Sequence, residues 1–254
     1  MKKYYPQEFY SERHEKTIYS ANTVISILID LVPNIDSAID VGCGIGTWLS
    51  VLQEKGIKEV QGVDGDWVDQ DLLVIPKPCF MQTDLKKPLK LSKRYDLAIC
   101  LEVAEHLPSD NANNFVGNLT ELSDFVLFSA AIPYQGGDNH INEQWPSYWV
   151  KLFDEKGYDV YDFIRQKIWE DEKISVWYKQ NILFFAKRDK LNDLRSHPGI
   201  TALMPLNVVH PQLYKIRASN QAATKEQNIG VLQNAKNLLN SLSIYTKKVL
   251  KLND

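Results

Sequence analysis

The chain has 254 residues, of which 44% are hydrophobic and 24% are charged. Such a chain can bury a full core in one α/β domain with appendages, and its composition is that of an ordinary globular protein. Its net charge of −3 gives no reason to expect nucleic acid as a partner, and no apolar run reaches the roughly 18 residues of a membrane span.

The N-terminal segment contains aromatic residues followed by an amphipathic pattern. Residues 1–6 lack the apolar region of a signal peptide. Apolar residues recur with helical spacing over residues 15–32, and Pro33 ends the pattern. We therefore expect residues 1–33 to form a helical segment ahead of the main domain.

A glycine-rich turn follows the first predicted strand, residues 36–41. Gly42, Gly44 and Gly46 alternate with other residues, and a helical pattern covers residues 46–56. Glycines let a ligand approach backbone N–H groups at a helix N-terminus. A dinucleotide fingerprint would need glycine at Thr47, and the carboxylate of Asp40 would repel a pyrophosphate but attract a cationic group such as a sulfonium.

Acidic residues end the next three predicted strands as well. Strand 58–63 leads to Asp64, whose carboxylate can accept hydrogen bonds from both hydroxyls of a ribose. Strand 79–82 leads to Asp84, and strand 95–101 leads to Glu102 within an E-V-x-E-H run. With the glycine turn, this order of acids resembles the class I S-adenosylmethionine-dependent methyltransferases over about residues 36–186.

The resemblance implies that S-adenosyl-L-methionine is the cofactor. It places the adenine amino group against Asp84 and the adenine ring against the backbone N–H of the next residue. By the same resemblance, the cofactor-binding residues are Asp40, Gly42, Cys43, Gly44, Gly46, Asp64, Gly65, Asp84, Leu85 and Glu102. In similar enzymes an aromatic N-terminal segment folds over the cofactor as a lid, which suggests that role for residues 4–14.

Strands and helices alternate through the rest of the domain. A helix is predicted over 109–119, a strand over 124–131, and a helix over 145–156 that ends at Gly157. Strands are predicted over 158–163 and 178–187. No helical pattern lies between these two strands, so one of them should run antiparallel. The fold class is a Rossmann-like, doubly wound α/β domain over residues 34–188. The resembled family implies seven mostly parallel strands in the order 3-2-1-4-5-7-6.

The three cysteines, Cys43, Cys79 and Cys100, fall in or beside predicted buried strands and show no metal-binding spacing. We interpret them as reduced core residues of a cytoplasmic protein.

A second polar loop, residues 132–149, contains two glycines and a dense set of polar and aromatic residues. Aromatic faces can stack on sugar rings, and amides and carboxylates can bind hydroxyls. The loop resembles a subgroup of bacterial methyltransferases with an N-H-x-N-E-Q-W-P-x-Y-W run, often associated with capsule or cell-surface glycan modification. The candidate substrate-binding residues are Tyr134, Asn142, Gln144, Trp145, Tyr148 and Arg13.

Methyl transfer to a hydroxyl needs an aligned nucleophile and a base. His140 is the first candidate base, with Glu143 orienting it or binding substrate, and His106 beside Glu105 is the second. Structural roles for both histidines stay open. His140 and Glu143 could instead hold a divalent ion, but two ligands are too few, so no metal is expected.

The C-terminal region is basic. Residues 187–254 hold eleven Lys or Arg and four Asp or Glu, a net charge of +7. Residues 189–217 have the composition of a linker. Residues 218–254 are predicted to form an amphipathic helix, with apolar residues at heptad spacing over 218–252. Docking on the chain's own domain and pairing with a second copy both fit this pattern.

Together these features predict a methyltransferase that acts on a small polar acceptor. We expect an oxygen of a sugar, a nucleotide-sugar or a phosphorylated or phosphoramidate precursor of a surface glycan. A nitrogen acceptor and a non-catalytic cofactor-binding module that assembles through its C-terminal helix stay open. A nucleic-acid substrate is not expected, because the fourth strand lacks an Asn-Pro-Pro-Tyr run and the domain lacks an extended basic patch.

Overall fold

The computed structural model describes residues 7–89, 91–194 and 207–219, with positions 236, 238 and 239. The strands in these residues are β1 (Ser37–Val41), β2 (Glu59–Asp64), β3 (Phe80–Gln82), β4 (Leu97–Leu101), β5 (Phe125–Ser129), β6 (Tyr158–Tyr161) and β7 (Leu183–Lys187). The α-helices are α1 (Gln7–Leu31), α2 (Thr47–Glu54), α3 (Ala112–Leu122), α4 (Pro146–Asp154), α5 (Phe163–Ile168) and α6 (Val176–Asn181).

The strands form a sheet with the order β3-β2-β1-β4-β5-β7-β6, which confirms the predicted order. The first five strands pair in parallel, and β7 runs antiparallel to both β5 and β6. Asp40 of β1 pairs with Gly62 on one side and Ile99 on the other. The strand order reverses between β1 and β4, so a crevice is expected beyond their carboxyl ends.

Two apolar layers cover the sheet, as expected for parallel strands buried on both faces. Neighbouring residues of β1 enter different layers: Ala38 packs in the layer that holds the buried face of α1 and α2, and Ile39 packs with α3 and α4. Phe153 of α4 stacks on Phe185 with ring centroids 3.9 Å apart. This packing fixes the strand ends that carry the polar residues.

Three sequence expectations were wrong. Helix α1 begins at Gln7, eight residues before the predicted start. Two short helices, α5 and α6, lie between β6 and β7, and the predicted strand 178–187 begins only at Leu183. The polar residues of α6 are buried because they have specific partners: the side chain of Gln180 donates to the carbonyl of Val208 (2.8 Å) and accepts from the N–H of His210 (2.6 Å).

Beyond residue 210 the chain forms a second unit, in which residues 211–219 are helical. Helical structure therefore begins within the predicted linker. Most of the predicted helix over 218–252 lies outside the described residues, so its docking or dimerisation stays a prediction. No helix of the described part of the chain is both long and apolar enough to cross a bilayer.

Candidate active site

A cavity of about 570 Å³ opens at the carboxyl ends of β1, β2 and β4, where the topology predicts a ligand site. Nine residues predicted as site residues line it: Asp40, Gly42, Cys43, Gly44, Asp64, Asp84, Leu85, Glu102 and His106. The structure therefore gathers residues from four separate strand ends into one site.

The glycine turn is built for close backbone packing. Gly42 has φ of +87°, and its N–H donates to the carbonyl of Val63 at 2.7 Å. A Cβ at Gly42 would lie 2.3 Å from Val103 Cγ2, so a larger residue does not fit. Gly46, with φ of +90°, precedes the first residue of α2. The N-terminus of α2 thus faces the cavity through Thr47 and Trp48.

Asp64 holds the glycine turn in place. Its carboxylate accepts hydrogen bonds from the N–H of Gly44 at 2.7 Å and from the N–H of Gly65 at 2.6 Å. Burial raises the pKa of Asp64, and these two bonds and one from Trp67 oppose that rise. The carboxylate lies in the cavity wall, where a ribose could reach it, and Gly65 itself contributes through this bond rather than as a lining residue.

Asp40 is the most deeply buried acid of the cavity wall, with 3% of its surface exposed. Burial, and then the nearby charge of Asp64, raises the pKa of Asp40 well above its ordinary value. Burial raises the pKa of the Cys43 and Cys100 thiols in the same way. These thiols are therefore poor nucleophiles at neutral pH, in agreement with their predicted core role.

Asp84 and Leu85 follow β3 on the far side of the cavity. The side chain of Asp84 accepts from the N–H of Lys86 at 3.1 Å, while Leu85 is buried. Lining residues that the sequence analysis missed are Thr17 of α1, Trp67 and Val68 after β2, Ile141, and Tyr178 of α6. No motif marks Thr17, Trp67, Val68 or Tyr178, because they reach the cavity only through folding, whereas Ile141 belongs to the N-H-x-N-E-Q-W-P-x-Y-W run of the 132–149 loop.

Glu102 sits in a network of buried amides. Its carboxylate accepts from Asn181 Nδ2 at 3.0 and 3.2 Å and from Gln135 Nε2 at 2.9 Å. Its backbone has φ of +55°, a conformation that non-glycine residues rarely adopt. The network connects β4, the 132–149 loop and α6 at the cavity wall.

The two candidate histidines lie against each other although 34 positions separate them. The rings of His106 and His140 make an edge-to-face contact with centroids 4.8 Å apart. His106 lines the cavity, and His140 stands behind it. Glu143 pairs with Nδ1 of His140 at 3.0 Å and also accepts from the N–H groups of Tyr134 (2.8 Å) and Gly136 (2.5 Å). Glu143 thus both orients His140 and shapes the loop.

Glu105 is fully buried next to this pair. Neither of its carboxyl oxygens has a hydrogen-bond partner among the described residues. Burial, and then the charge of Glu102, raises the pKa of Glu105 well above its ordinary value, although nearby backbone N–H groups oppose the rise. Its backbone carbonyl accepts from the N–H groups of Ile141 (2.9 Å) and Asn142 (3.0 Å) and so joins the two loops.

The five predicted substrate residues whose side chains the structure describes lie outside the cavity lining. The side chains of Asn142 and Gln144 bond to each other at 3.0 Å, and Tyr148 packs against Trp149. Tyr134 and Trp145 are exposed, at 86% and 36% of their surface. The side chain of Arg13 lies outside the described part of the chain.

Residues 27–123 match a family described as methyltransferase domain. This part of the chain is similar to methyltransferase domains. It contains the glycine turn, the four strand-end acids and His106, whereas the loop with His140 and Glu143 lies beyond it.

A magnesium-protoporphyrin O-methyltransferase from Synechocystis sp. is 30% identical to the chain over 102 residues, or 37% of this chain. The match spans only 43% of the length of that relative. It therefore supports the methyltransferase domain and leaves the acceptor of this chain open.

Solved structures show the same fold. The methyltransferase domain of bacterial CtHen1-C matches 68% of this chain and 98% of its own, at 24% identity and a TM-score of 0.50. CalS10 is an amino pentose methyltransferase from Micromonospora echinaspora, solved with bound S-adenosylmethionine. It matches 72% of this chain and 98% of its own, at 12% identity and a TM-score of 0.50. The predicted class I fold is thus confirmed.

Proposed function

We propose that the protein transfers a methyl group from S-adenosyl-L-methionine to an oxygen of a small polar acceptor. The observation that carries this proposal is the placement of Asp40, Asp64 and Asp84 around one cavity at the glycine turn of a methyltransferase domain. The carboxyl groups of Asp40 and Asp64 are buried, and carboxylates at this position favour a cationic sulfonium over a pyrophosphate. The domain extends over residues 34–188, and Thr17 in the cavity wall supports a lid role for the N-terminal segment.

The acceptor is proposed to be a sugar, a nucleotide-sugar or a phosphorylated or phosphoramidate precursor of a surface glycan. Exposed Tyr134, Ile141 and Trp145 on the 132–149 loop offer apolar faces on which a sugar ring can stack. Buried Asn142 and half-buried Gln144 would support the shape of the loop rather than contact the acceptor. The resemblance to an amino pentose methyltransferase in fold is compatible with this class of acceptor.

Methyl transfer is an in-line displacement at carbon. The acceptor oxygen attacks the methyl carbon, the carbon–sulfur bond breaks, and S-adenosyl-L-homocysteine leaves with both electrons of that bond. The hydroxyl proton must leave as well, and the candidate base is the pair formed by His106, which lines the cavity, and His140, which contacts its ring. Positioning supplies most of the catalysis, because the cofactor brings its own leaving group.

Calorimetric titration tests the cofactor assignment directly. The full chain should bind S-adenosylmethionine and S-adenosylhomocysteine with micromolar affinity and should not bind NAD. Absence of binding to both sulfur ligands would overturn the assignment. Sugar-nucleotide and phosphorylated glycan acceptors would then be screened with amine acceptors beside them; binding without methylation of any acceptor would favour a non-catalytic module.

Substitution of His140 tests the histidine pair. His140→Ala should lower turnover by ~10²–10⁴-fold and leave S-adenosylmethionine binding nearly intact. Asp138→Ala, at an exposed position of the same loop, is the matched control and should keep full activity. Equal loss of binding and turnover in His140→Ala would indicate a structural role instead.

A further inference from the structure

Glu105 is a carboxyl group without a partner in the interior of the domain. It has no exposed surface, and neither Oε atom makes a hydrogen bond of good geometry within the described residues, although the backbone N–H groups of Glu105 and Ala131 lie near it. Burying an unpartnered carboxylate costs several kcal/mol as an order of magnitude, so natural proteins pair such groups or use them to coordinate metals. The described structure supplies no protein cation that bonds to it.

Two histidines complete a set of metal-ligand atoms around this carboxylate. One carboxyl oxygen of Glu105 and one ring nitrogen each of His106 and His140 lie within 4.8 Å of one another. These atoms come from the turn after β4 and from the 132–149 loop, and the contacts between the Glu105 carbonyl and the N–H groups of Ile141 and Asn142 hold the two segments together.

Glu143 prepares His140 for such a role. Its carboxylate pairs with Nδ1 of His140 at 3.0 Å, and in the neutral tautomer that donates from Nδ1 to Glu143 the other ring nitrogen, Nε2, has its lone pair available for a metal ion. Metal-bound histidines usually donate their other ring N–H to a carboxylate in this way. A Cβ at Gly137 would lie 2.3 Å from Nε2, so a larger residue at this position would collide with the His140 ring.

We propose that Glu105, His106 and His140 bind one divalent transition-metal ion, with Glu143 as the residue that orients His140. Two imidazoles and one carboxylate suit Mn²⁺, Fe²⁺, Co²⁺ or Zn²⁺ better than Ca²⁺ or Mg²⁺, which prefer oxygen ligands. This assignment makes Glu105 and His106 ligands and revises the expectation that no metal is needed.

The proposed metal ion would bind the acceptor of the proposed methyl transfer, and this role rests on the proposed function. Three protein ligands leave coordination positions open, and His106 lies in the wall of the donor cavity. An acceptor oxygen bound at an open position would lose its proton to solvent more easily and be held for attack on the methyl carbon. The acceptor class that fits is a polyhydroxylated or phosphorylated compound with neighbouring oxygens that can chelate the ion.

Titration of the EDTA-treated full chain with Mn²⁺, followed by electron paramagnetic resonance of the free ion, tests the site without an acceptor. One Mn²⁺ should bind per chain. Glu105→Gln, His106→Gln and His140→Gln should each weaken binding by more than about 100-fold, and Glu143→Gln by ~10–100-fold. Glu121→Gln, at an exposed position of α3, is the matched control and should bind Mn²⁺ like the wild type.

A parallel titration with S-adenosylmethionine in EDTA separates this proposal from the proposed function. Wild-type protein that binds the cofactor but neither Mn²⁺, Co²⁺ nor Zn²⁺ would overturn the metal site and leave the methyltransferase assignment standing. Mn²⁺ binding that survives in Glu105→Gln and His106→Gln would also overturn it. Wild-type protein that binds Mn²⁺ but not S-adenosylmethionine would contradict the proposed function and leave the metal site standing.

Discussion

The carboxylate of Asp64 offers the sharpest test of the cofactor site. It accepts the N–H groups of Gly44 and Gly65 at 2.7 and 2.6 Å, one on each oxygen. In Asp64→Asn, one side-chain oxygen is replaced by an NH₂ group that faces a backbone donor. The substitution therefore removes the negative charge and at least one of the two bonds that hold the glycine turn.

The size of the effect follows from these contacts. A hydrogen bond to a charged group contributes about 1.5–3 kcal/mol, and a buried donor left without a partner costs about 1–3 kcal/mol. If the same carboxylate binds the ribose, S-adenosylmethionine affinity should fall by about 1–3 kcal/mol, which corresponds to an increase in Kd of roughly 5–150-fold. Calorimetric titration with S-adenosylmethionine and S-adenosylhomocysteine measures that change.

Asp96→Asn is the matched control. Asp96 also accepts backbone N–H groups, those of Asp36 and Ser37 at 3.0 and 2.8 Å, but at the opposite end of β1 from the cavity. It should leave cofactor affinity unchanged even if it lowers stability. Wild-type affinity in Asp64→Asn, or an equal loss of affinity in both variants, would refute the reasoning.

Two further predictions concern stability. Burial raises the folded-state pKa of Asp40, so its contribution to the free energy of unfolding is fully present below the ordinary pKa of 3.8 and is lost as pH rises toward the folded-state pKa. Asp40→Asn should therefore have a higher melting temperature than the wild type at neutral pH and the same melting temperature in acid. It should also bind S-adenosylmethionine more weakly. An unchanged pH dependence of the melting temperature would contradict this. Gly42→Ala should lower the free energy of unfolding by about 2–5 kcal/mol through backbone strain and the contact with Val103, and Val103→Ala in that background should restore only the contact part in urea titrations.

Most of the strands and most of the cofactor cavity could be predicted from the residues of the sequence, whereas the order of the strands was implied only by the resemblance to a known family. The signals are local: an apolar run gives a strand, the residue after it gives the strand end, and parallel strands bring those ends to one edge. Asp40, Asp64, Asp84 and Glu102 could therefore be placed together without knowledge of any contact. The glycine turn is equally local, since Gly42 and Gly46 adopt positive φ values that other residues resist.

The boundaries of polar helices were harder to predict. The predicted strand over 178–187 begins inside α6, and the prediction is wrong there because the side-chain NH₂ groups of Gln180 and Asn181 donate to partners far away in the sequence. Propensity and periodicity describe neighbours along the chain and contain no information on such partners. The same limit explains why Thr17 and Tyr178 were missed as cavity residues.

The sequence alone determined most of the strands, the glycine turn with its strand-end acids and the two loops that carry the candidate chemistry, because each of these depends on short-range patterns; the order of the strands followed from the family resemblance. Only the tertiary structure decided what those loops do with their side chains. It turned Asn142 and Gln144 inward, set His106 against His140, and buried Glu105 without a partner beside them. Burial and pairing are properties of surfaces that meet across the fold, and residues far apart along the chain acquire them only when the chain packs.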